Sequence, residues 1–247
     1  MKPQFWSVPE LWPGATFAIF GGGPSLTASA VNACRGRLDN GRQVRAIAVN
    51  DALRLAAWTD VHYFCDDKWW GWHHGKDWYR NFKGLRVTLE NPNLLKHEPG
   101  LKSVQNVGPK GLCSERTGLA NGRNGGYQAI NLAVHLGAKR ILLVGFDMHA
   151  PLVGDRVRTH WFGDHPGNTS PGVYAMMLPN FDTLIAPLAQ RGIEVVNCTP
   201  GSALKCFARG TLETVLQDLW PVETDAGLCA GSQPPARTAT ALPDLRA

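Results

Sequence analysis

GGYQAINLAVHLGAKRILLVGFD, residues 125–147, is the stretch that decides how this chain folds. Residues 127–136 carry apolar side chains at helical spacing, and Gly137 follows where a helix end needs a left-handed backbone. Lys139 and Arg140 then lead into residues 141–144 (ILLV), a short unbroken apolar run closed by Gly145. A run with no polar face belongs in a parallel sheet covered on both sides. Its exit, Gly145-Phe146-Asp147, falls at the carboxyl edge, where parallel sheets bind ligands.

The same grammar repeats on either side. Residues 15–20 (ATFAIF) read as a strand ending in Gly21-Gly22-Gly23-Pro24-Ser25, and residues 26–37 as a helix whose first turn suits Pro24 and Ser25. Residues 44–50 (VRAIAVN) are a second strand, followed by a short helical stretch at 51–57. Residues 60–64 (DVHYF) are a third, ending at Cys65-Asp66-Asp67. A loop-rich middle with one strand at 85–89 extends to Arg123. Beyond it, residues 173–190 read as one long helix ended by Gly192, and residues 193–197 as the last strand. Strands alternating with helices predict an α/β fold with a doubly wound, mainly parallel sheet and helices on both faces. One domain over residues 1–222 is expected. From 223 on, the chain is rich in Ala, Pro, Gly, Ser and Thr and is expected to be a disordered tail.

Composition agrees with a globular domain. Of 247 residues, 44% are hydrophobic and 18% charged, enough for a sizeable core. A net charge of +5 favours phosphate-bearing partners without choosing among nucleotide, nucleic acid and anionic lipid. No apolar run is long enough to span a bilayer, and no signal pattern opens the sequence. The six cysteines form no CxxC pair, so reduced thiols and a cytoplasmic location are expected. The tryptophans at Trp69, Trp70, Trp72 and Trp78 read either as a subsidiary core or as a platform for an acceptor.

The polar groups that fall at the carboxyl edge are the candidates for chemistry. Gly21, Gly22, Gly23 and Ser25 sit between a strand and a helix, where missing side chains and a helix dipole welcome an anion. No GKS or GKT follows, and the loop is not GxGxxG. Gly125 and Gly126 repeat the logic at a second helix start, with Arg123 beside them. Asn50, Asp66 and Asp147 follow strands. Asp66 and Asp67 read as ligands for Mg²⁺ or Mn²⁺ bridging phosphates, or Asp66 only as the cap of the next helix. His160 and His165 flank a polar loop near Arg156 and Arg158. A histidine there can act as a base near neutral pH, and the arginines can neutralise a departing phosphate.

Taken in order, FGGGPSL (residues 20–26), AVND (48–51), residues 125–147, THWFGDHPGNT (159–169) and VVNCTPGSALKCF (195–207) resemble the bacterial lipooligosaccharide sialyltransferases. That family implies a single Rossmann-like domain, a CMP-sugar donor and no required metal. The GPSL loop is also similar to that of 6-hydroxymethylpterin pyrophosphokinase-like proteins, and AVNDAL…CDDKWW to phage and prophage proteins. The resemblance places His165 where the sialyltransferases have their general base, ahead of His160, with one inserted residue, Asp164. It places Asn50 on the nucleotide and Ser25 with Gly21, Gly22 and Gly23 around its phosphate. Three positions differ: Gly22 replaces an asparagine, Gly125 a serine, and His149 the tyrosine that supports the leaving phosphate. Arg156 and Arg158 are substitutes for the missing phosphate ligands.

The expected function is transfer of a sugar from a nucleotide-sugar to a hydroxyl acceptor, with His165, His149 and Arg158 as catalytic candidates. A nucleic-acid acceptor is among those open. The alternatives are metal-dependent pyrophosphoryl or nucleotidyl transfer, and a non-catalytic binding or assembly protein of a phage particle.

Overall fold

The computed structural model describes residues 5–39, 41–163 and 172–219. The expected tail and His165 lie outside them. Nine strands form a single sheet: β1 (Ala15–Phe20), β2 (Arg45–Val49), β3 (Val61–Tyr63), β4 (Leu85–Leu89), β5 (Lys102–Asn106), β6 (Gly118–Leu119), β7 (Ala138–Val144), β8 (Glu194–Asn197) and β9 (Ala208–Arg209). Their order is β9-β8-β7-β1-β2-β3-β4-β5-β6, and every neighbouring pair is parallel. This is the α/β, Rossmann-like sheet that the alternating pattern implied.

Side chains alternate across the sheet, so each central strand feeds two cores. Phe17, Ile19, Ile47, Val49, Ile141 and Leu143 belong to one. There they meet Ile130, Leu132 and Leu136 of α5 (Gly125–Leu136), Phe181 of α6 (Val173–Asp182) and Leu188 of α7 (Ile185–Gln190). Ala18, Phe20, Ala46, Ala48, Leu142 and Val144 belong to the other. That face is covered by Val31 of α1 (Ala28–Ala33), Trp69 of α2 (Asp67–His73), Tyr79 of α3 (Asp77–Arg80), Leu94 of α4 (Pro92–His97) and Leu216 of α8 (Leu212–Leu219). β1 and β2 give this second core Ala18, Ala46 and Ala48 beside Phe20, while Phe17, Ile19 and Ile47 fill the first.

Local departures from the expected pattern have identifiable causes. The stretch 173–190 is two helices: Pro187 has no N–H to give Thr183 O, and Thr183 turns its hydroxyl onto Asn180 O (2.6 Å) and accepts from Gly111 N (2.9 Å). A threonine that bonds backbone in this way competes with the helix ladder. The first helix is shorter than expected and stops at Ala33, ahead of Gly36, whose φ is 73°. In the middle, what read as loop contains α4, β5 and β6. Among the described residues, no helix is long and apolar enough to cross a membrane.

Candidate functional site

The chain leaves β1 toward β2 on one side and later returns to β7 on the other. The connections after β1 and β7 therefore part, and a crevice opens at their carboxyl ends. A cleft of about 270 Å³ occupies it. Gly21, Gly22 and Gly23 line it after β1, Asn50 and Asp51 after β2, and Cys65 and Asp66 after β3. Arg123, Gly125 and Gly126 contribute from the start of α5, and Asp147 and Met148 from the exit of β7. Thr159, His160 and Phe162 form one rim, and Tyr174 and Met177 of α6 another.

The loop after β1 is built differently from a phosphate cradle. Gly21 N donates to Val144 O (2.8 Å) and Gly23 N to Gly145 O (2.9 Å). Ser25 donates from its amide (3.1 Å) and its hydroxyl (2.8 Å) to the Asp147 carboxylate. The anion that Ser25 holds is thus a side chain of the protein itself, and Ser25 is not among the residues lining the cleft. The glycines serve this close approach. A Cβ on Gly21 would lie 2.5 Å from Gly145 O, and one on Gly23 would lie 1.9 Å from Asp147 Oδ2. Gly22 differs, since a Cβ there meets only His160 Cδ2, at 3.3 Å. Burial pushes the Asp147 carboxyl up from its ordinary value, while the Ser25 bonds and the nearby His149 pull it back.

The second glycine pair is a capped helix start. Asn124 Oδ1 accepts from Gly126 N (2.8 Å) and Tyr127 N (3.1 Å), which satisfies two of the first-turn donors. Gly126 is required by Phe146, whose ring would lie 2.4 Å from a Cβ. Gly125 opens the helix on the cleft, so the positive end of the α5 dipole points into it. Arg123 beside it is exposed and has a left-handed backbone, φ 57°. Among the described residues, three that are not glycine have positive φ: Asn50 (51°), Arg123 and Met148 (55°). All three line this cleft. Such strain persists where the surrounding structure imposes it, and it collects at functional sites.

Asp51, Asp66 and Asp147 line the same cleft as Arg123, and each acid is engaged within the chain. Asp66 caps α2 by accepting from Lys68 N (2.8 Å), the second of the two roles its position allowed. Asp67 is exposed and accepts from Asn91. Asp51 is buried; it accepts from Trp69 Nε1 (2.6 Å), and Arg54 lies 3.4 Å away. Trp69 belongs to the core, and Trp70 stacks on His74 at 4.2 Å, outside the cleft. Among the described residues, no group of three or more His, Cys, Asp or Glu side chains is arranged to hold a metal.

Two catalytic candidates fall away from the cleft. Arg158 is exposed and spends its guanidinium on the carbonyls of His160 and Trp161, which leaves it bracing the loop. His149 is half-buried near Asp147 but does not line the cleft. His160 does line it, with Nδ1 2.8 Å from Thr159 Oγ1 and its ring stacked on Phe162 at 5.1 Å. Tyr174 is the residue that sequence reasoning missed. Its phenol reaches Thr159 O at 3.4 Å, and burial together with the Asp147 charge raises its pKa. A tyrosine one position into a helix that read as generic scaffold carries no local signal. No protein-family model, curated protein or solved structure matches this chain.

Proposed function

We propose that the cleft binds a nucleotide-sugar and transfers its glycosyl group to a hydroxyl acceptor. The observation that carries this reading is the convergence at one switch point of the α5 N-terminus, Arg123, Asn50 and His160. The nucleotide phosphate lies against the Gly125 end of α5 and Arg123, where dipole and guanidinium favour negative charge. Asn50 contacts the nucleotide, as the sialyltransferase resemblance implies. The acceptor oxygen attacks the anomeric carbon as the bond from that carbon to the phosphate oxygen breaks. The phosphate keeps the bonding electron pair, and a histidine receives the acceptor proton. Within the described residues that histidine is His160, oriented through Nδ1 by Thr159; the resemblance assigns the role to His165. The Tyr174 phenol, whose proton goes to Thr159 O in the empty cleft, would turn it to the leaving phosphate, the part that His149 cannot play from its position. Reduced thiols at all five described cysteines suit the cytoplasm, where we place the reaction.

Release of nucleotide from CMP-, UDP- and GDP-sugars, with and without acceptor, tests this. His160→Ala and His165→Ala each made in the full chain identify the base: its loss lowers turnover by roughly 10²–10⁴-fold with donor affinity little changed. Full turnover in both variants overturns acid–base catalysis by this loop. A second reading is metal-dependent pyrophosphoryl or nucleotidyl transfer on Asp66 and Asp147, which line the cleft, although no three of the described side chains are grouped to hold a metal. Activity with ATP that EDTA abolishes and Mg²⁺ restores would select it.

A further inference from the structure

His62, on β3, is fully buried in an aromatic cluster, 5.1 Å from the Phe64 ring, 5.3 Å from Trp69 and 5.8 Å from Tyr79. A phenylalanine would fill the same space without desolvating two ring nitrogens. Burial pushes its pKa down to about 3, so the ring is neutral and neither an acid nor a base at ordinary pH. Nε2 lies 3.1 Å from Asn50 O. A carbonyl can only accept, which puts the proton on Nε2 and leaves Nδ1 as a buried acceptor with no hydrogen-bond partner among the described residues. A neutral histidine is kept here at a cost, and the hydrogen bond to Asn50 is what it provides.

Asn50 gains from such a hold. It follows β2, paired beside β3 with Ala48 opposite His62, and takes a left-handed backbone, which asparagine adopts more readily than other residues with a side chain but which is not its preferred state. From that conformation it lines the cleft. We infer that His62 is a positioning residue, whose Nε2–H fixes Asn50 in the left-handed conformation that presents it to the ligand. The functional half of this inference rests on the proposed nucleotide site; the hydrogen bond itself can be tested without any ligand.

The test uses ¹⁵N spectra of the histidine rings in the full chain, Asn50 ¹³Cα and ¹³Cβ shifts, and calorimetry with CMP. The wild-type His62 ring is expected as the Nε2–H tautomer; an Nδ1–H ring overturns the inference whether or not any variant folds. His62→Phe, which keeps the packing, should move the Asn50 shifts away from left-handed values and weaken CMP binding about tenfold. His62→Gln returns an N–H near the Nε2 position and should restore both. Asn50 shifts unchanged in folded His62→Phe overturn the positioning role, and so does a His62→Gln protein that behaves like His62→Phe. A purely structural histidine would lower stability in both variants without this split. Wild-type protein that fails to bind CMP counts against the nucleotide reading, and the tautomer and Asn50 shifts still decide the inference.

Discussion

Adjacent glycines in the first loop do opposite jobs, and substitution separates them. Gly23→Ala drives a methyl into the Asp147 carboxylate and Gly145 O, so it should cost about 3 kcal/mol or more, read as a shifted urea midpoint. Gly22→Leu projects toward His160 and the cleft instead. It should leave the midpoint within about 1 kcal/mol of wild type while abolishing nucleotide binding. Acid stability belongs to His62. Its pKa falls from 6.5 in the unfolded chain to about 3 when folded, so the unfolded chain binds the extra proton between those values. That contribution is complete above pH 6.5 and is lost as pH falls toward 3; His135, lowered by burial, acts in the same direction. The His62→Phe protein should therefore show a flatter loss of stability between pH 7.5 and 5 than wild type. At this scale the sequence was half legible. Strand-end placement located Gly22, Asn50, Asp66 and Asp147, but nothing in the spacing showed that Ser25 would spend its donors on Asp147, 122 residues away.

Elements were legible where a residue type forces a boundary. Gly137, at φ 105°, ends α5 as its position implied, and Gly145 closes β7. The two-residue strands β6 and β9 were not legible, because a pair of residues shows no period and is a strand only through its neighbour. The break between α6 and α7 had a signal in Pro187, which cannot donate to Thr183 O, but the apolar spacing runs on through Thr183 and masks it. Asn124 is the element-scale test. Asn124→Ala removes the cap of α5 and should cost about 1 kcal/mol, or roughly 2–4 °C of melting temperature. It should also weaken nucleotide binding, because the first turn of α5 is the proposed phosphate seat. Thermal melts with and without donor check both effects.

For the whole molecule, the strand order is the argument. The chain winds from β1 outward to β6, then crosses back to β7, and this single reversal puts loops from distant parts of the sequence around one space. Alternating strands and helices predicted that such a reversal exists, and the Gly21 and Gly145 loops marked its two sides. The rim from α6 came only with the packed fold, whereas the loop carrying His160 was marked in the sequence by its histidines. The most direct test of the central claim is a thermal-shift comparison of wild-type and Gly22→Leu proteins against CMP-, UDP- and GDP-sugars at about 100 times the dissociation constant. A donor bound in the switch-point cleft should stabilise wild type by roughly 2.7 kcal/mol, about 5–10 °C, and leave Gly22→Leu unmoved. Equal shifts in both proteins, or none in wild type with any nucleotide-sugar, would contradict the account.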